Sequence, residues 1–148
     1  MSCPDATSYS GFADLAKHQA KGTDYRIVAL PREHSRIAVV APHGGGIERR
    51  TSDIARAMAG QDFNLYLFDG LRPADNYRCL HLCSHRFDEP KCLGLISRCQ
   101  AVVAIHGCGG SEEKVLLGGL DVSLRDRIAS ALRDANVRAE TEGIPSLA

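Results

Sequence analysis

At 148 residues the chain is long enough for one domain with a real core. Its 18 basic and 18 acidic side chains balance, which excludes a protein-wide field that would collect polyanions or membrane surfaces. Trp is absent and only four Phe and four Tyr are present, too few for an aromatic platform that stacks nucleic-acid bases.

In chain order, Ser8 to Lys21 carries a mixed helical pattern with Phe12, Leu15 and Ala16 on one side. Tyr25 to Leu30 and Arg36 to Ala41 are short apolar runs bounded by turn residues, and both predict strands. Thr51 or Ser52 is placed to cap a helix that runs to about Ala59 and stops at Gly60. Leu65 to Phe68 predicts a third strand, broken by the loop Asp69-Gly70-Leu71-Arg72-Pro73. Cys79 to Ser84 predicts a fourth, and Pro90 opens a short helix through Cys99. Ala101 to Ile105 is nearly all apolar, as for a strand buried on both faces. After the turn at Gly107, Gly109 and Gly110, a strand is expected over Lys114 to Leu117. An amphipathic helix follows over Leu120 to Ala135, with Leu124, Ile128, Ala131 and Leu132 on its stripe, and a last strand starts at Val137. This alternation predicts a layered α/β fold, a mixed sheet flanked by helices, in a single domain spanning 1–148.

No apolar run has the length needed to cross a bilayer, and residues 1–22 have no apolar core of the kind a secretory signal needs. The expected location is cytoplasmic, with the six cysteines as reduced thiols. Tyr77, Cys79, His81, Cys83 and His85 alternate and would share one face of the fourth strand. Residues six apart on a strand stand roughly 20 Å apart. No single zinc, with bonds of about 2.0–2.3 Å, spans them. Cys79, Cys83, Cys92, Cys99 and Cys108 therefore read as packed thiols, and Asp88 and Glu89 as caps for the helix that Pro90 opens.

The most specific stretch is Ala41-Pro42-His43-Gly44-Gly45-Gly46-Ile47-Glu48, at the end of the second strand. On a helix, His43 and Glu48 would diverge by roughly 140°. A glycine-rich reversal instead lets a strand-end His and a helix-entry Glu turn to one point, where the helix dipole favours the carboxylate. His106, at the end of the most apolar strand, is the best-placed third ligand, since open α/β sheets carry their sites at strand carboxyl ends. Two imidazoles and one carboxylate suffice for a catalytic zinc with an open fourth position. The competing reading of Gly44–Gly46 is a phosphate cradle of backbone N–H groups, although no Lys-Ser/Thr pair follows and the glycine spacing is not that of a dinucleotide fold.

Together with Leu67-Phe68-Asp69-Gly70-Leu71-Arg72, Leu80-His81-Leu82-Cys83-Ser84, Phe87-Asp88-Glu89-Pro90, His106-Gly107 and Gly118-Gly119-Leu120-Asp121, the His43 motif resembles the poly-γ-glutamate hydrolase family, also known as phage-related replication proteins. The likeness runs from about Tyr25 to Asp134. It implies a zinc carboxypeptidase-like α/β fold, a Zn2+ ligand set of His43, Glu48 and His106, and hydrolysis of γ-glutamyl amide bonds in a polyanionic polymer. It also implies a further C-terminal segment whose glutamate acts as general base. No stretch of this chain matches that segment, and Glu140 and Glu142 sit in no matching motif. The expectation is that the base comes from elsewhere, or that the chain is a form shortened at its C-terminus with impaired catalysis.

Such chemistry also needs a cation beside the oxyanion, for which Arg49, Arg50, Arg72 and Arg86 are candidates. Arg72, in a loop after a strand, is the first choice. His81, inside a family-like run, is a candidate substrate-binding or supporting residue. The expected partner is an anionic peptide or poly-γ-glutamate, with no nucleic acid or membrane. The alternatives are a non-catalytic member that keeps the fold and metal and binds a partner or acidic polymer, and a phosphate- or nucleotide-binding domain built on the glycine turn.

Overall fold

The computed structural model describes residues 8–141. The chain divides into two compact units, one ending at Cys108 and the next beginning at Gly109. No helix among the described residues is long and apolar enough to cross a membrane.

The first unit is built on a four-stranded sheet in the order β1-β3-β2-β4. Its strands are β1 (Tyr25–Leu30), β2 (Ile37–Gly45), β3 (Asn64–Gly70) and β4 (Ala101–Ala104). β1 runs antiparallel to β3, while β2 is parallel to both β3 and β4. Alternation along the central strands divides the core into two layers. Ala38, Val40, Tyr66 and Phe68 face a cluster that holds Leu15 from α1 (Phe12–His18), Cys79 and Leu80 from α3 (Asn76–Leu80), and Cys92 and Leu95 from α4 (Pro90–Ile96). Val39, Ala41, Leu65 and Leu67 face Ala55 and Ala59 of α2 (Thr51–Ala59). The result is the expected mixed sheet with helices on both faces.

Several local expectations are corrected. Cys79–Ser84 is not a strand. Cys79 and Leu80 end α3, and Ser84–Arg86 form a single 3-10 turn, so the alternating Cys and His residues never share a strand face. Cys79 is disulfide-bonded rather than a thiol, and Cys108 is exposed rather than packed. β4 is instead an edge strand, with no strand paired beyond it among the described residues, and one of its faces is left uncovered, where Val102 is 41% exposed. Glu89 does cap α4, accepting from Cys92 N at 2.9 Å, but Asp88 serves another helix. Its Oδ1 accepts from Phe12 N, in the first turn of α1, at 2.6 Å.

In the second unit, β5 (Val115–Leu116) and β6 (Ala139–Glu140) pair in parallel around α5 (Val122–Asp134). Asp121 caps α5 by accepting from Leu124 N at 2.9 Å. Leu124, Ile128 and Leu132 are half-buried as the stripe predicts, whereas Ala131 is exposed and Ala129 is the buried alanine.

Candidate metal centre

The centre grows from an irregularity in β2. Against β3, Ala41 is opposite Leu67 but Gly44 is opposite Asp69, so β2 carries one extra residue between those pairs. Such a bulge re-aims side chains next to sites, and here it contains Pro42 and His43. Gly45 then takes φ +62°, the left-handed turn expected of the glycine run. Gly44 is required for a different reason, close approach: a Cβ there would lie 2.5 Å from Asp69 Oδ1 and 3.1 Å from the Phe68 carbonyl.

Thr51 and Ser52, expected as helix caps, instead secure this reversal. The residue ahead of α2 is Arg50, left-handed at φ 74° and without a side-chain cap. The Thr51 hydroxyl lies 3.2 Å from the His43 carbonyl and 2.8 Å from that of Glu48. Ser52 Oγ donates to Asp69 Oδ1 at 2.5 Å and accepts from Gly45 N at 3.2 Å. Asp69, fully buried, also binds Arg26 at 2.7 Å. Glu48 therefore sits in the turn before α2, not in its first turn, and its orientation comes from backbone and side-chain hydrogen bonds.

Those bonds bring His43, Glu48 and His106 together as the sequence predicts, with one ligand atom from each inside a 4.8 Å cluster. His43 Nδ1 is 3.2 Å from His106 Nδ1 and 3.2 Å from Glu48 Oε1, and His106 Nδ1 is 3.6 Å from Glu48 Oε2. Ligands about 2.1 Å from a tetrahedral zinc stand roughly 3.4 Å apart, so the donor set already has the spacing the ion requires. The His43 side chain is almost wholly buried, at 2% exposure. Its Nε2 lies 2.8 Å from the Leu82 carbonyl. A carbonyl only accepts, so Nε2 donates in this contact, which orients the ring and turns Nδ1 towards the cluster, as for a metal-binding imidazole. Burial disfavours the Glu48 charge, but His106, His43, His81 and the Gly107 N–H outweigh it and hold the carboxyl far below the usual carboxylate range.

His81 joins the centre although no strand carries it. It ends α3, with Nε2 3.3 Å from Glu48 Oε1. Its ring lies 4.0 Å from that of His43 and stacks on Tyr77 at 4.3 Å. The sequence reading missed Tyr77, the Leu82 carbonyl and the Gly107 N–H, which donates to Glu48 Oε2 at 2.7 Å. Backbone groups leave no mark in a sequence, and Tyr77 was obscured by the wrong period assigned to its segment.

The candidate cations are dispersed. Arg72 Nη1 is held by Asp24 at 2.9 Å and Gln19 at 3.0 Å, so its charge is already paired. Arg86 donates to the Tyr9 carbonyl, and Arg50 lies 4.0 Å from Asp53 on the surface. Arg49, next to Glu48, is exposed and carries no ion pair among the described residues. The glycine turn is no phosphate cradle. The N–H groups of Gly45, Gly46, Ile47 and Glu48 already donate to Ser52 Oγ and to the Gly70, Gly44 and His43 carbonyls.

Known proteins bear on this geometry. The family model described as poly-gamma-glutamate hydrolase matches residues 9–146. The SPbeta prophage-derived UPF0714 protein YoqZ of Bacillus subtilis (strain 168) is 38% identical over 91% of this chain and 48% of its own length. The UPF0714 protein YmaC of the same organism is 36% identical over 90% of this chain and 55% of its own. The chain thus spans about half the length of the curated relatives it matches. Among solved structures, a bacteriophage poly-gamma-glutamate hydrolase superposes with a TM-score of 0.89 at 31% identity, over 96% of this chain and 69% of the other. YndL in a zinc-free apo form superposes with a TM-score of 0.85 at 31% identity, over 95% and 68%. With the motif order, the family match and the shared fold all in agreement, this chain belongs to the poly-γ-glutamate hydrolase family.

Proposed function

We propose that this chain is a zinc-dependent amide hydrolase that acts on γ-glutamyl bonds of an acidic polymer, with the metal held by His43, Glu48 and His106. The observation that carries this reading is the ligand spacing of 3.2, 3.2 and 3.6 Å, together with the Leu82 carbonyl that holds His43 Nε2 and turns Nδ1 towards the other two ligands. Support comes also from the relatives, one solved as a phage poly-gamma-glutamate hydrolase and another described as zinc-free in its apo form. When bound, zinc would polarise the scissile carbonyl and lower the pKa of water.

The chain's own groups do the rest. Leu82 O and Gly107 N–H hold His43 and Glu48 in their ligating orientations. His81, in contact with Glu48 Oε1 and partly exposed, is the group placed to bind substrate or relay a proton at the rim of the centre. Arg72 would meet a substrate carboxylate only by leaving Asp24, so Arg72→Ala should raise KM less than His81→Ala lowers kcat.

The test is zinc analysis of purified wild type against His43→Ala, followed by cleavage of γ-linked polyglutamate. One zinc per wild-type chain and a depleted variant are expected. Equal, substoichiometric zinc in both would refute the site. A second reading, a metal-binding member that captures acidic polymer without cleaving it, is favoured by one observation: among the described residues Glu48 is the sole carboxylate of the cluster, and it already faces all three imidazoles. Full zinc occupancy with no cleavage would select it.

A further inference from the structure

At the opposite end of the sheet from the metal centre lies a cavity of about 310 Å³, whose lining includes Pro31, Arg32, Glu33, Arg36, Leu95 and Arg98. Arg36 precedes β2 and His43 lies near that strand's far end, so the two places are roughly 23 Å apart along the strand. The position is set by the fold. β1 leaves the sheet here, β2 and β3 enter it, and Cys99 beyond α4 packs under the buried Asn64.

Three guanidiniums face one acid in this lining. Among the described residues, none of Arg32, Arg36 and Arg98 forms an ion pair with a carboxylate, in contrast to Arg26 and Arg72. Arg32 is fixed by its backbone N–H to Asn64 Oδ1 at 2.7 Å and by Nη2 to Gln61 Oε1 at 3.0 Å. Its Nε is buried with no hydrogen-bond partner. Buried donors are nearly always satisfied, so this N–H is a donor available to an acceptor. The guanidinium fork matches carboxylate and phosphate oxygens, while Leu95 and Pro31 supply apolar wall for a ligand's carbon skeleton.

The geometry points to a second binding site, for an oxyanion, in this cavity. Arg32 provides the fixed donor, and the exposed side chains of Arg36 and Arg98 provide the charge that draws the ligand in. The site is independent of the metal-centre reading, because it shares no residue with it. A carboxylate of an acidic polymer and free phosphate present the same chemistry to these donors, so the experiment uses both.

Titration calorimetry of the full chain with inorganic phosphate, and separately with a short γ-linked glutamate oligomer, is expected to show saturable one-site binding of at least one of them. Binding should weaken as NaCl rises. Arg98→Gln and Arg36→Gln alter exposed side chains, and thermal melts will verify that they fold. Each is expected to weaken binding about tenfold, the loss of one charge-assisted contact. His106→Ala, which removes a proposed metal ligand, should bind as wild type does. Displacement of phosphate by the oligomer would identify polymer carboxylates as the ligand, and saturation by phosphate alone would identify a small free oxyanion. Failure of both ligands to saturate, wild-type affinity in all the arginine variants, or loss of binding in His106→Ala would each overturn the proposal.

Discussion

Gly44→Ala probes the junction on which the candidate metal centre rests. The new Cβ would stand 2.5 Å from Asp69 Oδ1 and 3.1 Å from the Phe68 carbonyl, and it would collide with Ser52 Oγ. Neither oxygen of Asp69 is free to yield, because one accepts from Ser52 and the other is paired with Arg26 at 2.7 Å. Overpacking a tight site costs about 1–3 kcal/mol. Breaking the charge-assisted Ser52–Asp69 bond adds about 1.5–3 kcal/mol. A total loss of roughly 2.5–6 kcal/mol is expected, a drop of about 5 °C or more in Tm for a chain of this size. Urea denaturation followed by circular dichroism measures the stability, and zinc content measures the consequence for His43 and Glu48. Removing the Ser52 hydroxyl relieves the worst contact, so Gly44→Ala/Ser52→Ala should be less destabilised than the two single variants sum to. Stability within about 0.5 kcal/mol of wild type, with unchanged zinc content, would refute the account of this turn, since surface substitutions stay inside that margin.

Acid should weaken the metal-free protein in part through Glu48. Its carboxyl is held below the ordinary range in the folded chain, so its contribution is complete above the unfolded value of about 4.3 and is lost as pH falls below it. Glu48→Gln should therefore flatten the acid limb of a Tm-against-pH curve, and an unchanged limb would count against the assigned contacts. The Cys92 thiol is pushed up to about 12 by burial and by the neighbouring Glu89. Its contribution is complete below the unfolded thiol value of about 8.5 and is lost as pH rises towards 12. At pH 8, iodoacetamide should label the exposed Cys108 well before Cys92, as read by peptide mass mapping. Asp88→Ala removes the acceptor for Phe12 N and should cost about 1 kcal/mol. That loss should appear as faster hydrogen exchange in α1, with α4 unchanged because Glu89 still caps it.

Elements whose period and punctuation agree were legible from the amino-acid order. Tyr25–Leu30, the core of β2, the helix closed by Gly60, the helix opened by Pro90 and the helix expected over Leu120 to Ala135 all stand near their predicted bounds. The amino-acid order also singled out His43, Glu48 and His106, because chemically distinctive side chains at strand ends are visible without coordinates. Three things were settled by tertiary structure alone. Cys79–Ser84 alternates like a strand, yet its residues are held as a helix end and a turn by burial of Cys79, Leu80 and Leu82 in the α-helical layer, so a short local pattern lost to packing. Thr51 and Ser52 read as caps, but the bulge brings the carbonyls of His43 and Glu48 and the Asp69 carboxylate within reach, and those contacts replace capping. Arg72 sits in a loop after a strand, as a substrate-binding residue would, but β1 runs antiparallel to β3, which places the Asp24 carboxylate against its guanidinium. In each case the local signal named which groups were available, and only the folded chain decided which partner each of them met.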